Sequence, residues 1–207
     1  MKVQHILGAA PLYTNTFLLV TDQKHGILID AAAEPDTYKK ALAEQGATLT
    51  HILLTHGHYD HVGAVAALRR ETGCKVYLDP ADALGDALYP LKTSDVDEAW
   101  PASGSLTIDE LTFTIYHTPG HTRGSVVLAL GKLLFCGDTL FAGSIGRTDL
   151  EGGSSAQMAE SLRKLAKLPI PRETQVLPGH GEFSTFGDEL DNNYYIRSAL
   201  RGGNDIF

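Results

Sequence analysis

The chain has 207 residues, 43% of them hydrophobic, and this composition is sufficient for one sizeable core. We therefore predict a single domain over residues 1–207. The 25 acidic and 17 basic residues give a formal net charge of −8, which disfavours a nucleic-acid-binding function.

The sequence carries no signal for export or for a membrane span. Its first 20 residues lack a sustained apolar run, and no segment reaches the roughly 18 uncharged apolar residues that a membrane helix needs. The two cysteines, Cys74 and Cys136, predict no disulfide framework, and reduced, buried thiols are typical of a reducing compartment. We expect a cytoplasmic protein without membrane contact. The sequence does not indicate an oligomeric state.

Short strand-like runs alternate with helical patterns along the chain, which predicts an α/β protein with helices covering its sheets. Residues 79–104 have mixed polarity and predict a short helix with loops, for which a position over the functional site is one interpretation. The predicted strands are residues 16–20, 26–30, 51–55, 72–78, 105–108, 111–117, 125–130, 132–136 and 174–177, and the predicted helices are residues 34–46, 62–70, 156–168 and 187–200.

A dense group of ligand-type side chains follows the strand at 51–55, in the stretch "THGHYDHVGA". His56 and His58 are two residues apart, so in an extended segment both side chains point to the same side and one metal ion can take both. Asp60 and His61 come at the turn into the helix and face another direction, which suits a neighbouring ion. The spacing predicts two metals. The alternative is a polar helix-entry loop in which Asp60 caps the helix.

Three further candidate ligands lie at predicted strand ends beside glycines, in "TPGHTRGS", "LFCGDTLF" and "LPGHGEFST". They are His121, Asp138 and His180. Each alone is also typical of a hydrogen-bonded loop residue, but together with the first group they complete a binuclear set. A carboxylate with two oxygens can bridge two cations, which suits Asp138. Imidazole nitrogens with oxygen ligands favour zinc, iron or manganese over calcium.

The order of these motifs resembles that of the metallo-β-lactamase superfamily and, within it, the glyoxalase II (hydroxyacylglutathione hydrolase) group. The resemblance covers nearly the whole chain and implies a four-layer αββα sandwich with the site at the loop edge of two sheets. It implies two divalent metals, with zinc favoured over iron or manganese. It assigns ligands as follows: His56, His58 and His121 to the first metal; Asp60, His61 and His180 to the second; and Asp138 to both.

Two metals about 3.5–4 Å apart share a water and make hydroxide available near neutral pH. Hydroxide attacks a carbonyl carbon, the metals stabilise the oxyanion, and a thiolate leaves readily from a thioester. The catalytic residues implied are Asp138 and Asp60, of which Asp60 also orients the water. Asp30 matches a family position that supports the metal loop, although a strand-end turn residue is the alternative. Cys136 is expected to lie in the core.

Substrate contacts are less determined by the sequence. Arg123 stands beside a metal ligand, where an arginine can meet an anionic substrate group. Arg147 and Tyr59 are further substrate-binding candidates; the alternatives are an ion pair of Arg147 with Asp149 and packing for Tyr59. Only 27 residues, 181–207, follow His180, which places the chain nearer the short glyoxalase-II-like hydrolases. The expected partner is a small-molecule thioester such as S-lactoylglutathione.

Other activities on the same fold stay open. Residues 143–150, "GSIGRTDL", resemble a segment of persulfide dioxygenases, which would use one iron held by His56, His121 and Asp138. A lactonase is a second alternative, and the acidic charge disfavours the related nucleases. A metal-binding scaffold is a third, but it would have little need for a complete ligand set.

Overall fold

The computed structural model describes residues 1–101 and 104–202. The chain divides into two compact units, the first spanning Met1–Thr112 and the second beginning at Phe113. The single domain predicted over residues 1–207 stays a prediction. Residues 102–103 of the segment 79–104 lie outside the described residues.

The first unit contains a five-stranded mixed sheet. In spatial order, the second strand is antiparallel to the first and the third, whereas the third, fourth and fifth strands run parallel. In spatial order the strands are β1 (Lys2–Leu7), β2 (Asn15–Val20), β3 (His25–Ile29), β4 (Thr48–Leu53) and β5 (Lys75–Tyr77). The helices are α1 (Pro35–Gln45), α2 (Tyr59–Val62) and α3 (Val65–Thr72), with 3-10 turns at Pro80–Asp82 and Thr93–Asp95.

Local sequence explains where α1 begins and ends. Pro35 occupies its first turn, where no backbone donor is needed, and Gly46 ends it in the left-handed conformation with φ 61°. Tyr38, Ala41 and Leu42 are buried on one face, as the helical spacing predicts. They join the apolar core of this unit, which also contains Leu18 and Val20 of β2.

The second sheet has six strands, and the division between the two units falls within its strand β7. Its spatial order is β11-β10-β9-β8-β7-β6. The strands are β6 (Ser105–Ile108), β7 (Leu111–His117), β8 (Val126–Leu130), β9 (Leu133–Gly137), β10 (Gln175–Pro178) and β11 (Ser184–Thr185). The helices of the second unit are α4 (Ser155–Ala166), α5 (Phe186–Asn192) and α6 (Tyr194–Leu200).

The structure departs from the predicted elements in four places. Strands β1 and β11 were not predicted, because β1 is mostly exposed and β11 has two residues. The helix predicted over 62–70 corresponds mainly to α3, and the short helix α2 precedes it and ends at Val62. The closing helix predicted over 187–200 is two helices, because Asn193 has an extended backbone and its side chain accepts hydrogen bonds from the first amides of α6.

The second unit has its own apolar core, formed by side chains of β8–β10 and α4–α6. Cys136 lies fully buried in it, and Cys74 is buried in the first unit. Burial raises the pKa of both thiols, so neither has thiolate character at neutral pH. Among residues 1–101 and 104–202, every helix is too short or too polar to cross a bilayer.

Candidate metal centre

The histidines of "THGHYDH" lie just beyond the end of β4. Strands β3, β4 and β5 are parallel, so the segments that follow them leave the sheet at the same edge. His56, His58 and His61 are each at most 3% exposed. The ligand atoms of His56 lie within 4.8 Å of those of both His58 and His61. The first unit therefore brings these three predicted ligands together in a buried cluster.

Asp30, at the end of β3, determines how two of these imidazoles are held. Its Oδ2 accepts a hydrogen bond from Nδ1 of His61 at 2.8 Å and another from the Thr55 hydroxyl at 2.9 Å. Because the Thr55 proton is used on Asp30, its oxygen accepts from Nδ1 of His56 at 3.1 Å. In both histidines Nε2 is then the atom with a lone pair for a metal.

Asp82 and Tyr89, in the segment after β5, pack on the His-x-His loop, as expected if this part of residues 79–104 lies over the loop. Oδ2 of the buried Asp82 accepts a hydrogen bond from the amide of Gly57 at 3.2 Å. A Cβ on Gly57 would stand 2.3 Å from the carbonyl oxygen of Asp82, so only glycine fits here. The centroid of the Tyr89 ring lies 4.8 Å from the centroid of the His58 imidazole.

Asp60 is the least buried ligand candidate of the first unit and borders a groove. Its Oδ2 accepts a hydrogen bond from the Thr14 hydroxyl at 3.2 Å and lies 3.8 Å from Nε2 of His61. The groove beside it has a volume of about 190 Å³ and is lined also by Pro11, Leu12 and Tyr59. The Tyr59 side chain is half exposed, so it is a wall of this groove and not a core residue.

The second unit presents its candidates at three strand ends on one edge. β8 is antiparallel to both β7 and β9, and β10 is parallel to β9, so β7, β9 and β10 run in the same direction. His121 follows β7, Asp138 follows β9 and His180 follows β10. Connections of this kind bring the segments after the strands to a common edge.

Asp138 lies between the two histidines. Its Oδ2 is 3.4 Å from Nε2 of His121 and 3.6 Å from Nε2 of His180. Both distances exceed an ordinary hydrogen bond. In a tetrahedral site with bonds of about 2.1 Å, neighbouring ligand atoms are about 3.4 Å apart. The donor set and its spacing therefore fit a divalent metal, and one carboxylate oxygen faces both imidazoles.

His121 is oriented by the backbone of Arg147, because its Nδ1 donates to the Arg147 carbonyl at 2.7 Å. The guanidinium of Arg147 forms two hydrogen bonds with Asp149, at 2.7 and 2.8 Å. That pairing holds the pKa of Asp149 at about 2. The ion pair considered as the alternative for Arg147 is thus formed. Arg123 is exposed on the loop two residues after His121.

Three polar residues of the site escaped the sequence reasoning: Thr14, Thr55 and Asp82. Thr55 directly precedes His56, and its position next to a ligand is the one available signal. Thr14 is 46 residues from Asp60, to which its hydroxyl donates, and Asp82 is 25 residues from Gly57, whose amide donates to it. No spacing within a single sequence connects them to these partners.

The sequence model described as the metallo-beta-lactamase superfamily matches residues 9–180, so the chain belongs to this superfamily of metallo-hydrolases. Members of the superfamily bind divalent metals, and the matched range contains every predicted ligand. Among its relatives, the hydroxyacylglutathione hydrolase GloC of Haemophilus influenzae is 30% identical over 207 residues, covering 93% of this chain and 97% of the relative.

Three solved structures are similar to the chain. The B3 metallo-beta-lactamase BLEG-1 has a TM-score of 0.83 and 34% identity over 94% of this chain and 99% of its own. ETHE1 from Myxococcus xanthus has a TM-score of 0.82 and 28% identity over 100% and 88%. The protein TTHA1623, in a di-iron-bound form, has a TM-score of 0.77 and 34% identity over 93% and 99%. The predicted α/β class and metallo-β-lactamase fold are confirmed.

Proposed function

We propose that the protein is a binuclear metal-dependent hydrolase that cleaves a small-molecule thioester of the S-lactoylglutathione type. In this proposal the ligands of the two units serve one pair of metals. His56, His58 and His121 hold the first metal, Asp60, His61 and His180 hold the second, and Asp138 binds both. The two metals held in this way would supply the hydrolytic chemistry of the site.

One observation carries the proposal: Asp138 Oδ2 stands 3.4 Å from His121 and 3.6 Å from His180. The mononuclear alternative with His56, His121 and Asp138 gives His180 no ligand role, although His180 lies at ligand spacing from the same carboxylate oxygen as His121. A bridging carboxylate needs a nitrogen partner for each metal, and this arrangement supplies one on each side.

When bound, two such metals lower the pKa of a shared water and polarise a carbonyl group. The residues of the chain then do three things. Asp30 and Thr55 keep Nε2 of His61 and His56 available as ligand atoms. Asp60, with its carboxylate held by the Thr14 hydroxyl, orients the water. The groove lined by Tyr59 and Leu12 offers an apolar wall for an acyl group.

The thioester substrate is supported by the relative named a hydroxyacylglutathione hydrolase. A thiolate is a good leaving group, so such a substrate needs no strong general acid in the site. Arg123, exposed beside His121, is our candidate for an anionic group of the thiol carrier. Zinc suits the nitrogen and oxygen donors, and the di-iron form of a similar protein supports iron as the alternative.

A mononuclear iron persulfide dioxygenase is the second candidate. It rests on residues 143–150, in which Arg147 pairs with Asp149 and its carbonyl orients His121. It would use His56, His121 and Asp138 and leave His180 without a role. We also propose a cytoplasmic location and no nucleic-acid or membrane partner, in keeping with the acidic composition.

Hydrolysis of S-D-lactoylglutathione by the purified, metal-replete protein tests the proposal. The Asp138→Ala variant, prepared identically, is the blank, because it lacks the carboxylate that both metals share. Turnover well above this blank, together with two metals per chain by elemental analysis, is the expected result.

Other outcomes would change the assignment. One iron per chain and oxygen consumption with glutathione persulfide would replace the hydrolase by the dioxygenase. Two metals without thioester turnover, but with ring opening of a lactone, would keep the binuclear site and change the substrate class.

A further inference from the structure

A tight turn follows Asp138 along the chain. The backbone groups of Phe141 and Ser144 exchange two hydrogen bonds, at 3.0 and 3.2 Å, and Gly143 has the positive φ of 66° that such a turn uses. After the turn, the Gly146 amide donates to the Asp138 carbonyl at 3.1 Å. The turn is therefore tied to the backbone of the proposed bridging ligand.

Two buried polar side chains from the C-terminal helices hold this turn. Glu189 of α5 is 3% exposed, and its Oε2 accepts from the Gly143 amide at 2.9 Å and from the Asn193 side-chain amide at 2.7 Å. Asn193 is fully buried, and its Nδ2 donates to the carbonyls of Phe141 and Ser144 at 3.4 and 3.0 Å. We call Glu189 and Asn193 the turn clamp.

The clamp uses all the hydrogen-bonding capacity of Asn193. While its amide group serves the turn, its Oδ1 caps α6 by accepting from the amides of Tyr195 and Ile196. A buried carboxylate and a buried amide are costly unless they are hydrogen-bonded, and here both are. Since a cap needs only the oxygen, the amide group is available to donate to the turn and to Glu189.

The turn contacts His180 through the side chain of Phe141. The ring of Phe141 meets the imidazole of His180 edge-on, with centroids 6.1 Å apart and planes at 85°. Nε2 of the same imidazole lies 3.6 Å from Oδ2 of Asp138. The direction in which His180 presents its ligand atom thus depends on where Phe141 is held.

We propose that Glu189 and Asn193 are positioning residues for the second metal site, acting through Phe141 on His180. The inference rests on the proposed function, which assigns His180 to the second metal. Residues around metal ligands commonly change metal affinity when altered, by about 10–100-fold. The clamp would make the C-terminal helices part of the metal site although neither residue is a ligand.

The test compares Asn193→Ser with the wild-type full chain. Serine keeps an oxygen for the α6 cap but lacks the amide that holds Phe141 and Ser144. The zinc-loaded proteins are titrated with a chromophoric chelator, and the release of each zinc is followed. We expect the second zinc to be released about tenfold more readily in Asn193→Ser, with the first unchanged. Phe141→Leu, which leaves the clamp intact, should have the same effect.

Thr185→Ala is the matched control. Thr185 caps α5 by accepting from the Asp188 amide, so this variant weakens the helix that carries Glu189 while keeping the side chains of Glu189 and Asn193. It should retain wild-type zinc release. The inference would be overturned if wild type and Asn193→Ser released the second zinc equally readily. It would also be overturned if Thr185→Ala released the second zinc as readily as Asn193→Ser.

A second readout separates this inference from the proposed function. In histidine-labelled full-length protein as purified, the His180 ring resonances should shift in Asn193→Ser and Phe141→Leu but not in Thr185→Ala. If the wild-type protein holds one metal or hydrolyses no thioester, the proposed function fails. The His180 resonances then test by themselves whether the turn clamp positions His180. Unshifted resonances would refute it.

Discussion

Oδ2 of Asp30 lies 2.8 Å from Nδ1 of His61, and both side chains are buried. The same oxygen accepts the Thr55 hydroxyl, whose own oxygen accepts from His56. One carboxylate outside the ligand set therefore orients two proposed ligands, one for each metal. This explains why a strand-end aspartate is needed at this position.

Asp30→Asn should lower metal affinity by roughly 10–100-fold, because the amide cannot accept from Thr55 and His61 as a carboxylate does. Asparagine tolerates the positive φ of 55° at this position, so backbone strain adds little. Metal content after dialysis against a chelator measures the effect.

Asp109 offers a matched control for that substitution. It has a positive φ of 52° and also accepts from a threonine hydroxyl and from a histidine Nδ1, those of Thr21 and His25. Asp109→Asn should therefore leave metal content unchanged. Equal metal loss in the two variants would refute the specific role of Asp30.

His180→Ala should reduce the metal content from two per chain to one and lower thioester hydrolysis by about 100-fold, since only a binuclear site needs the second ion. Elemental analysis and initial rates are the measurements. His117→Ala, at an exposed histidine of the same unit, is the control. Full thioester hydrolysis in His180→Ala would exclude the binuclear mechanism, and undiminished oxygen consumption with glutathione persulfide in this variant would favour the dioxygenase.

Arg123→Ala should raise KM for a glutathione thioester roughly tenfold with little change in kcat, because a charge-assisted hydrogen bond to the substrate would be lost. Arg147→Ala should have a smaller effect, since its guanidinium already pairs with Asp149. Steady-state kinetics with both variants checks this. An unchanged KM in Arg123→Ala would remove it from the substrate site.

Asp97 should make stability depend on pH. Two hydrogen bonds from Arg69, at 2.9 and 2.7 Å, hold the pKa of Asp97 below its ordinary value. A lowered folded-state pKa stabilises the fold above the unfolded value of about 3.9, and this contribution is lost as the pH falls through the folded value. Asp97→Asn should cost about 1 kcal/mol at pH 7, since the pair is partly exposed.

Urea unfolding of wild type and Asp97→Asn at pH 7 and near pH 3 measures that difference. The difference in the free energy of unfolding between wild type and Asp97→Asn should be smaller near pH 3 than at pH 7. Glu98→Gln is the control, because Glu98 and Lys75 are 3.8 Å apart and both exposed. If this difference were larger near pH 3 than at pH 7, the stabilising role of the ionised Asp97 would be contradicted.

The sequence predicted most elements because their apolar periodicity is local. The proline start, the buried face and the glycine end of α1 all lie within residues 35–46. β1 escaped prediction because its stability comes from pairing with β2 and not from its own burial. The break at Asn193 escaped for a similar reason: the carbonyls that hold its amide belong to residues about 50 positions earlier.

The sequence by itself determined which side chains are available as ligands and that His121, Asp138 and His180 each follow a strand. Ligand type is a property of the residue, and strand ends follow from local pattern. Only the tertiary structure decided that one oxygen of Asp138 faces both histidines of its unit and that Asp30 reaches His61. The direction of a side chain is set by the packing of segments distant in the chain, and no local pattern encodes it.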